Sequence, residues 1–211
     1  MSNNVRLNSL AAALASGALF LAACGGKSDD PAPPPGPVAF SGSVADGPLS
    51  GATVCFDLND NAVCDSGEPS SLTAADGRFS FDVAADQVGA HAVIAEVPAS
   101  AVDKDTGAPV GTAFTLKTPA PSRAGAGSVF VSPLTTLVVD VAAAKNVDTA
   151  AAESTVRGQL GLAVSPLANY VSAGDTQAAT LAHTVNAVII EVGKLAAEAG
   201  VAGDVARALV T

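Results

Sequence analysis

Most of the chemistry open to this chain lies in twelve residues. They read Asp57-Leu58-Asn59-Asp60-Asn61-Ala62-Val63-Cys64-Asp65-Ser66-Gly67-Glu68. Side-chain oxygens stand at the first, third, fifth, ninth and twelfth places, on Asp57, Asn59, Asn61, Asp65 and Glu68, and Val63 at the seventh can offer its carbonyl. A hard divalent cation asks for such a set. Ca2+ takes six to eight oxygen ligands at about 2.4 Å, which alternate residues of a tightly wound loop can supply while a terminal Glu closes the shell with both oxygens. Mg2+ demands a stiffer octahedron and suits the set less well. Asp57, Asp60, Asp65 and Glu68 bring four negative charges together without a Lys or Arg, and such a cluster repels itself unless a cation sits within it. Asp60, off the pattern, is expected to face solvent. The competing reading is an Asx-rich hairpin turn that binds nothing, because Asn and Asp favour turns through bonds to their own backbone.

Taken position by position, Asp57 to Glu68 resembles an EF-hand-type calcium loop. It departs at Ala62, the sixth place, where that family carries Gly in a positive-φ turn; alanine there costs about 1 kcal/mol or shifts the turn. No helical pattern flanks the loop. A strand-like alternation precedes it and Pro69 follows, so it looks more like the strand-flanked calcium loops of dockerin-like and surface-repeat proteins. Ca2+ is the cofactor this resemblance implies. Asp46 and Asp76 sit in nearby Asp-Gly turns, and turn geometry accounts for both.

Other chemistries are poorly supplied. Two His in 211 residues leave little for imidazole catalysis, and His91 and His183 are each remote from any Cys or Ser signature. There is no Gly-x-Ser-x-Gly elbow, His-Glu-x-x-His, phosphate loop or dinucleotide fingerprint, so no enzyme is expected within this chain. A net charge of −10 disfavours nucleic acid and anionic membrane surfaces. With no Trp, one Tyr and seven Phe, stacking platforms for sugars or bases are scarce. The charge is uneven, because residues 37–117 hold eleven acids and three bases.

The loop needs strands to hold it. Val38, Phe40 and Val44 alternate, as do Val54 and Phe56, then Phe79, Phe81 and Val83, and then Val110, Thr112, Phe114 and Leu116. The run from Ala90 to Val97 is apolar enough for a central strand. Asp46-Gly47-Pro48 and Ala75-Asp76-Gly77 mark turns between them. This spacing predicts a small antiparallel β-sandwich. The phrase Gly42-Ser43-Val44-Ala45-Asp46-Gly47-Pro48-Leu49-Ser50-Gly51-Ala52-Thr53-Val54, with Asp76-Gly77-Arg78-Phe79 later, resembles the prealbumin-like or carboxypeptidase-regulatory-like sandwich modules of bacterial surface proteins.

After residue 128 the period changes to that of helices. Ser132-Pro133 is a cap and first-turn proline, with Leu134, Leu137, Val138 and Val141 at helical spacing. A second helix is expected from an Asp148 cap to Leu160, stopped by Gly161, and Ser165-Pro166-Leu167 starts a short third. Asp175 opens a long one, with Leu181, Val185, Val188, Val192 and Leu195 inward and Gly200 as its stop. The string Val131-Ser132-Pro133-Leu134-Thr135-Thr136-Leu137-Val138 resembles a segment that follows the calcium-loop sandwich in proteobacterial lipoproteins. The fold class expected is α+β, a small antiparallel sandwich followed by a small helical bundle.

The amino terminus reads as an address. An apolar run from Leu10 to Ala23 has signal-peptide length and is too short to span a bilayer. It ends Leu21-Ala22-Ala23-Cys24-Gly25, which resembles the lipobox of bacterial lipoproteins. That resemblance implies acylation of Cys24, cleavage before it and, with Gly25 following, an outer-membrane lipid anchor in the cell envelope. If lipid takes Cys24, Cys55 and Cys64 remain as an even pair in a compartment that permits disulfides, the alternative being two free buried thiols. A bridge would close about ten residues, stabilise them by roughly 2–3 kcal/mol and hold the loop oxygens in place.

The expected parts are a signal peptide over 1–23, an acylated cysteine with a Pro-rich disordered tether over 24–37, a sandwich with the calcium loop over 38–117, a linker over 118–128 and a helical domain over 129–211. Gly203-Asp204 reads as a further helix start with little chain after it, so a longer protein is expected. The function expected is that of an envelope lipoprotein whose calcium-stabilised module is structural or binds another envelope protein or an extracellular ligand. The alternatives are an accessory domain of a longer secreted enzyme and a carbohydrate-binding module.

Overall fold

The structure, a computed structural model, describes residues 36–121 and 129–200. The signal segment, Cys24, nearly all of the tether, residues 122–128 of the expected linker and the segment after Gly200 lie outside the described residues. All described residues belong to the unit Pro35–Thr211.

The period-two segments form strands. β1 (Pro37–Val44) runs antiparallel to β5 (Arg78–Ala84), with Phe40 opposite Phe81 and Val38 opposite Val83. On its other side β1 pairs in parallel with β10 (Val129–Val131), completing a three-stranded sheet in the order β10-β1-β5. A four-stranded antiparallel sheet has the order β4-β3-β6-β9, from β3 (Thr53–Phe56), β4 (Ser70–Leu72), β6 (Val93–Val97) and β9 (Phe114–Thr118). β2 (Leu49–Ser50), β7 (Val102–Asp103) and β8 (Ala108–Pro109) make a small third sheet. Val110 and Thr112, read as part of a strand, precede β9.

One apolar core joins the sheets. Phe40, Val44, Val54, Phe56, Phe79, Val83, Val93, Val97, Leu116 and Val131 are all buried in it. Phe40 meets Phe56 edge-on with centroids 5.5 Å apart. Gly42 sits where β1 and β10 pass each other. A Cβ there would overlap the Val129 carbonyl and the Phe79 ring, so only glycine allows the parallel pairing at this register.

Four helices follow: α1 (Pro133–Lys145), α2 (Thr149–Leu160), α3 (Tyr170–Ala173) and α4 (Thr176–Glu198). Over the described residues the molecule is therefore a mixed α and β fold with antiparallel sheets and four helices. Caps set the helix starts: Ser132, Asp148, Asn169 and Asp175 each accept an N–H from the first turn. α1 and α2 agree with the expected signals, including Gly161 as the left-handed stop of α2. The short helix does not start at Ser165-Pro166-Leu167. There Ser165 Oγ accepts the Leu167 N–H in a local turn, and the helix waits for the Asn169 cap.

α4 presents the expected face only in part: Val185 is buried and Leu181 packs against the core, but Val188 and Leu195 do not turn inward. Ala178, Ala182, Val185, Asn186 and Ala196 are buried, while Val188 and Leu195 are 44% and 56% exposed. Alanines let the helix approach its neighbours closely, and the larger Val188 and Leu195 fall off that stripe. The helix closes on Ala199, one residue before Gly200.

The Ser-Pro-Leu-Thr-Thr segment acts as a clamp. Ser132 and Thr135 form a reciprocal capping box. The Thr135 hydroxyl donates to the Lys117 carbonyl at 2.6 Å, and the Thr136 hydroxyl accepts the Lys117 N–H at 2.8 Å. The Lys117 ammonium, buried, ion-pairs with Asp140 on α1, also buried. β9 and α1 are thereby joined through backbone and side chain together.

Candidate functional site

The twelve-residue segment leaves β3 at Phe56 and returns at Pro69, whose carbonyl accepts the Phe56 N–H at 3.0 Å. A Cys55–Cys64 disulfide, with Cα atoms 5.5 Å apart, ties the loop to the buried end of β3. The expected pairing is present, and it spans the first eight loop positions.

The oxygens organise the loop from inside. Asp57, 3% exposed, accepts the Asn61 N–H at 3.0 Å on one carboxylate oxygen and the Ala62 N–H at 2.8 Å on the other. Asn59 Oδ1 accepts the Asn61 N–H at 3.2 Å and Asn61 Oδ1 accepts the Val63 N–H at 2.8 Å, two successive Asx turns. Glu68 receives the Leu58 N–H at 2.8 Å and the Asp65 N–H at 3.1 Å, strapping the start of the loop to its end. These bonds force Ala62 to φ 61° and Asp60 to φ 58°, so the sixth position takes the left-handed turn without the glycine. Asp60 is largely exposed, as expected of the acid off the pattern, with His91 Nδ1 at 3.4 Å.

Three of the expected ligands converge. The Asn59 and Asn61 amides donate to the same oxygen of Asp65, at 2.8 and 2.7 Å. Those two bonds, Asn59 first, hold the Asp65 carboxyl below its usual range. Val63 is exposed and its carbonyl is a loop carbonyl. Glu68 is drawn to backbone amides at the loop's two ends. Among the described residues no three His, Cys, Asp or Glu stand close enough to hold a metal ion, so the expected ligands do not form a gathered carboxylate cluster. The donors are all oxygen, and a carboxylate or amide oxygen that accepts one N–H keeps a lone pair, so the chemistry fits Ca2+.

One contributor escaped the sequence reading. Glu96 on β6 reaches across to accept the Cys64 N–H at 3.1 Å. Its signal was an acid inside the apolar run Val93–Val97. Asp46 and Asp76 do not approach the loop. Asp76 ion-pairs with Arg78 at the surface, and Asp46 turns toward α4. His183, read as isolated, lies 2.8 Å from the Asp46 carboxylate. No helix among the described residues is long and apolar enough to cross a membrane. No family model, curated protein or solved structure matches this chain.

Proposed function

We propose that the chain is an outer-membrane-anchored lipoprotein of the bacterial envelope, tethered through Cys24, whose prealbumin-like sandwich carries a Ca2+-stabilised loop and serves as a structural or binding module. The observation that carries the ion assignment is the meeting of Asn59, Asn61 and Asp65 side chains at one point of a disulfide-braced, oxygen-only loop. Asn59 Oδ1 and Asn61 Oδ1 each accept one backbone N–H and keep a lone pair, so these oxygens and the Asp65 carboxylate are the donors open to a cation. Asp57 and the Val63 carbonyl complete the set, and Glu68 can swing from its backbone partners to close it. The ion's contribution is structural, offsetting the mutual repulsion of four acids.

Calorimetry of the chelated protein with added Ca2+ tests this. At about a hundredfold excess over Kd the melting temperature should rise by roughly 5–10 °C. Asp65→Ala should abolish the rise. An unchanged melting temperature at millimolar Ca2+, with no ion detected by native mass spectrometry, would overturn the assignment.

A further inference from the structure

The sheet β10-β1-β5 has two unlike edges. β10 is bridged to β9 at Ser132 and Lys117 and runs on into α1, whereas β5 pairs with β1 on one side and, among the described residues, with no strand on the other. β5 is seven residues long and holds neither Pro nor Lys, the residues that commonly blunt an exposed edge. β4, which ends the other sheet, reaches β5 on this same side through the turn in which the Ala74 N–H donates to the Arg78 carbonyl at 2.8 Å. It carries Leu72, at 67% the most exposed large apolar side chain among the described residues.

The side chains of β5 alternate. Phe79 and Val83 are buried and Phe81 is half-buried, while Arg78, Ser80, Asp82 and Ala84 are exposed. Two residues apart, Arg78, Ser80 and Asp82 lie on one face of the strand in the order positive, neutral, negative. Turned end for end about Ser80, the order is reversed. An antiparallel copy of the strand in that register therefore sets Arg78 of each chain opposite Asp82 of the other, and the half-buried Phe81 opposite Phe79. Arg78 Nε lies 3.4 Å from Asp76 in its own turn, an exposed pair that solvent screens and that does not tie the side chain down.

We propose that β5 is a self-association edge, which pairs antiparallel with β5 of a second copy of this chain about a twofold axis at Ser80. Strand addition gives the outer backbone groups of β5 their partners, and the twofold makes the contact close as a dimer instead of extending into a fibre. An axis normal to the sheet also brings the two β4 edges, each with its Leu72, toward one another.

Sedimentation of the full chain between about 2 and 200 µM, with hydrogen exchange over the same range, tests the edge. A reversible dimer should form, and the β5 amides should gain protection as it fills. Arg78→Asp sets like charges opposite each other at both ends of the pairing, as does Asp82→Arg, and each should weaken the dimer by about tenfold or more. Arg78→Asp combined with Asp82→Arg should restore it, because the reversed pattern is again self-complementary. Both side chains are exposed and stand outside the apolar core, so the variants keep the fold. A chain that stays monomeric throughout, β5 protection that does not depend on concentration, or a dimer indifferent to the two single reversals would overturn the proposal. A combined variant as weak as either single one would overturn the Ser80 register.

Discussion

The loop over 57–68 and the clamp between β9 and α1 are both dense in polar groups, and they differ in what satisfies them. In the clamp, Lys117, Asp140, Ser132, Thr135 and Thr136 are buried and bond one another across two elements. In the loop, Asn59, Asn61 and Asp65 are exposed, and nearly all bonds stay within twelve residues. Buried polar groups that close on themselves specify how elements dock, since any other arrangement strands a charge. Exposed groups that close on a short turn leave lone pairs facing water, which a ligand can use. The same residue types therefore serve assembly in one place and are available for binding in the other.

The contrast sets an order of expected effects. Asp140→Ala removes the buried ion-pair partner of the Lys117 ammonium on α1 and should cost about 3–5 kcal/mol in urea unfolding, whereas Lys117→Met with Asp140→Leu should recover most of that loss. A cost below about 1 kcal/mol would mean that the pair does not lock β9 to α1. Replacing Cys55 and Cys64 together by Ala should cost less, roughly 2–3 kcal/mol, and open residues 57–68 to proteolysis. If it cost more than Asp140→Ala, the loop rather than the clamp would be the main structural element. Ala62→Gly should act in the other direction. It relieves a φ of 61° and should stabilise the protein by about 0.5–1 kcal/mol, seen as a higher denaturation midpoint with unchanged slope.

How much of this was legible depended on the range of each interaction. Alternation located β1, β3 and β5, a continuous apolar run located β6, and the caps Ser132, Asp148 and Asp175 fixed three helix starts, because these signals act within a few residues. The loop's oxygen spacing and its disulfide were legible for the same reason. The inward face of α4 was legible only at Leu181 and Val185, because a stripe of Ala178 and Ala182 carries little hydrophobic signal beside Val188 and Leu195. The parallel pairing of β1 with β10 depends on Gly42 meeting a strand almost ninety residues later. The Asp46–His183 contact joins positions 137 apart, where an Asp-Gly turn and a lone histidine each had a sufficient local explanation. The Ser132–Thr136 segment could be read as a helix start, but its grip on Lys117 could not, since that partner lies in another element.

Tyr170 has a practical consequence. It is the chain's single tyrosine, there is no tryptophan, and its ring packs edge-on to Phe130 at 4.9 Å while its hydroxyl bonds the Ala45 and Asp46 carbonyls. Nearly all of the protein's near-ultraviolet absorbance and intrinsic emission therefore arises at one junction, where α3 and β10 meet the turn after β1. Optical unfolding curves will report the separation of that junction and remain almost blind to the loop over 57–68, whose behaviour has to be followed by calorimetry or exchange.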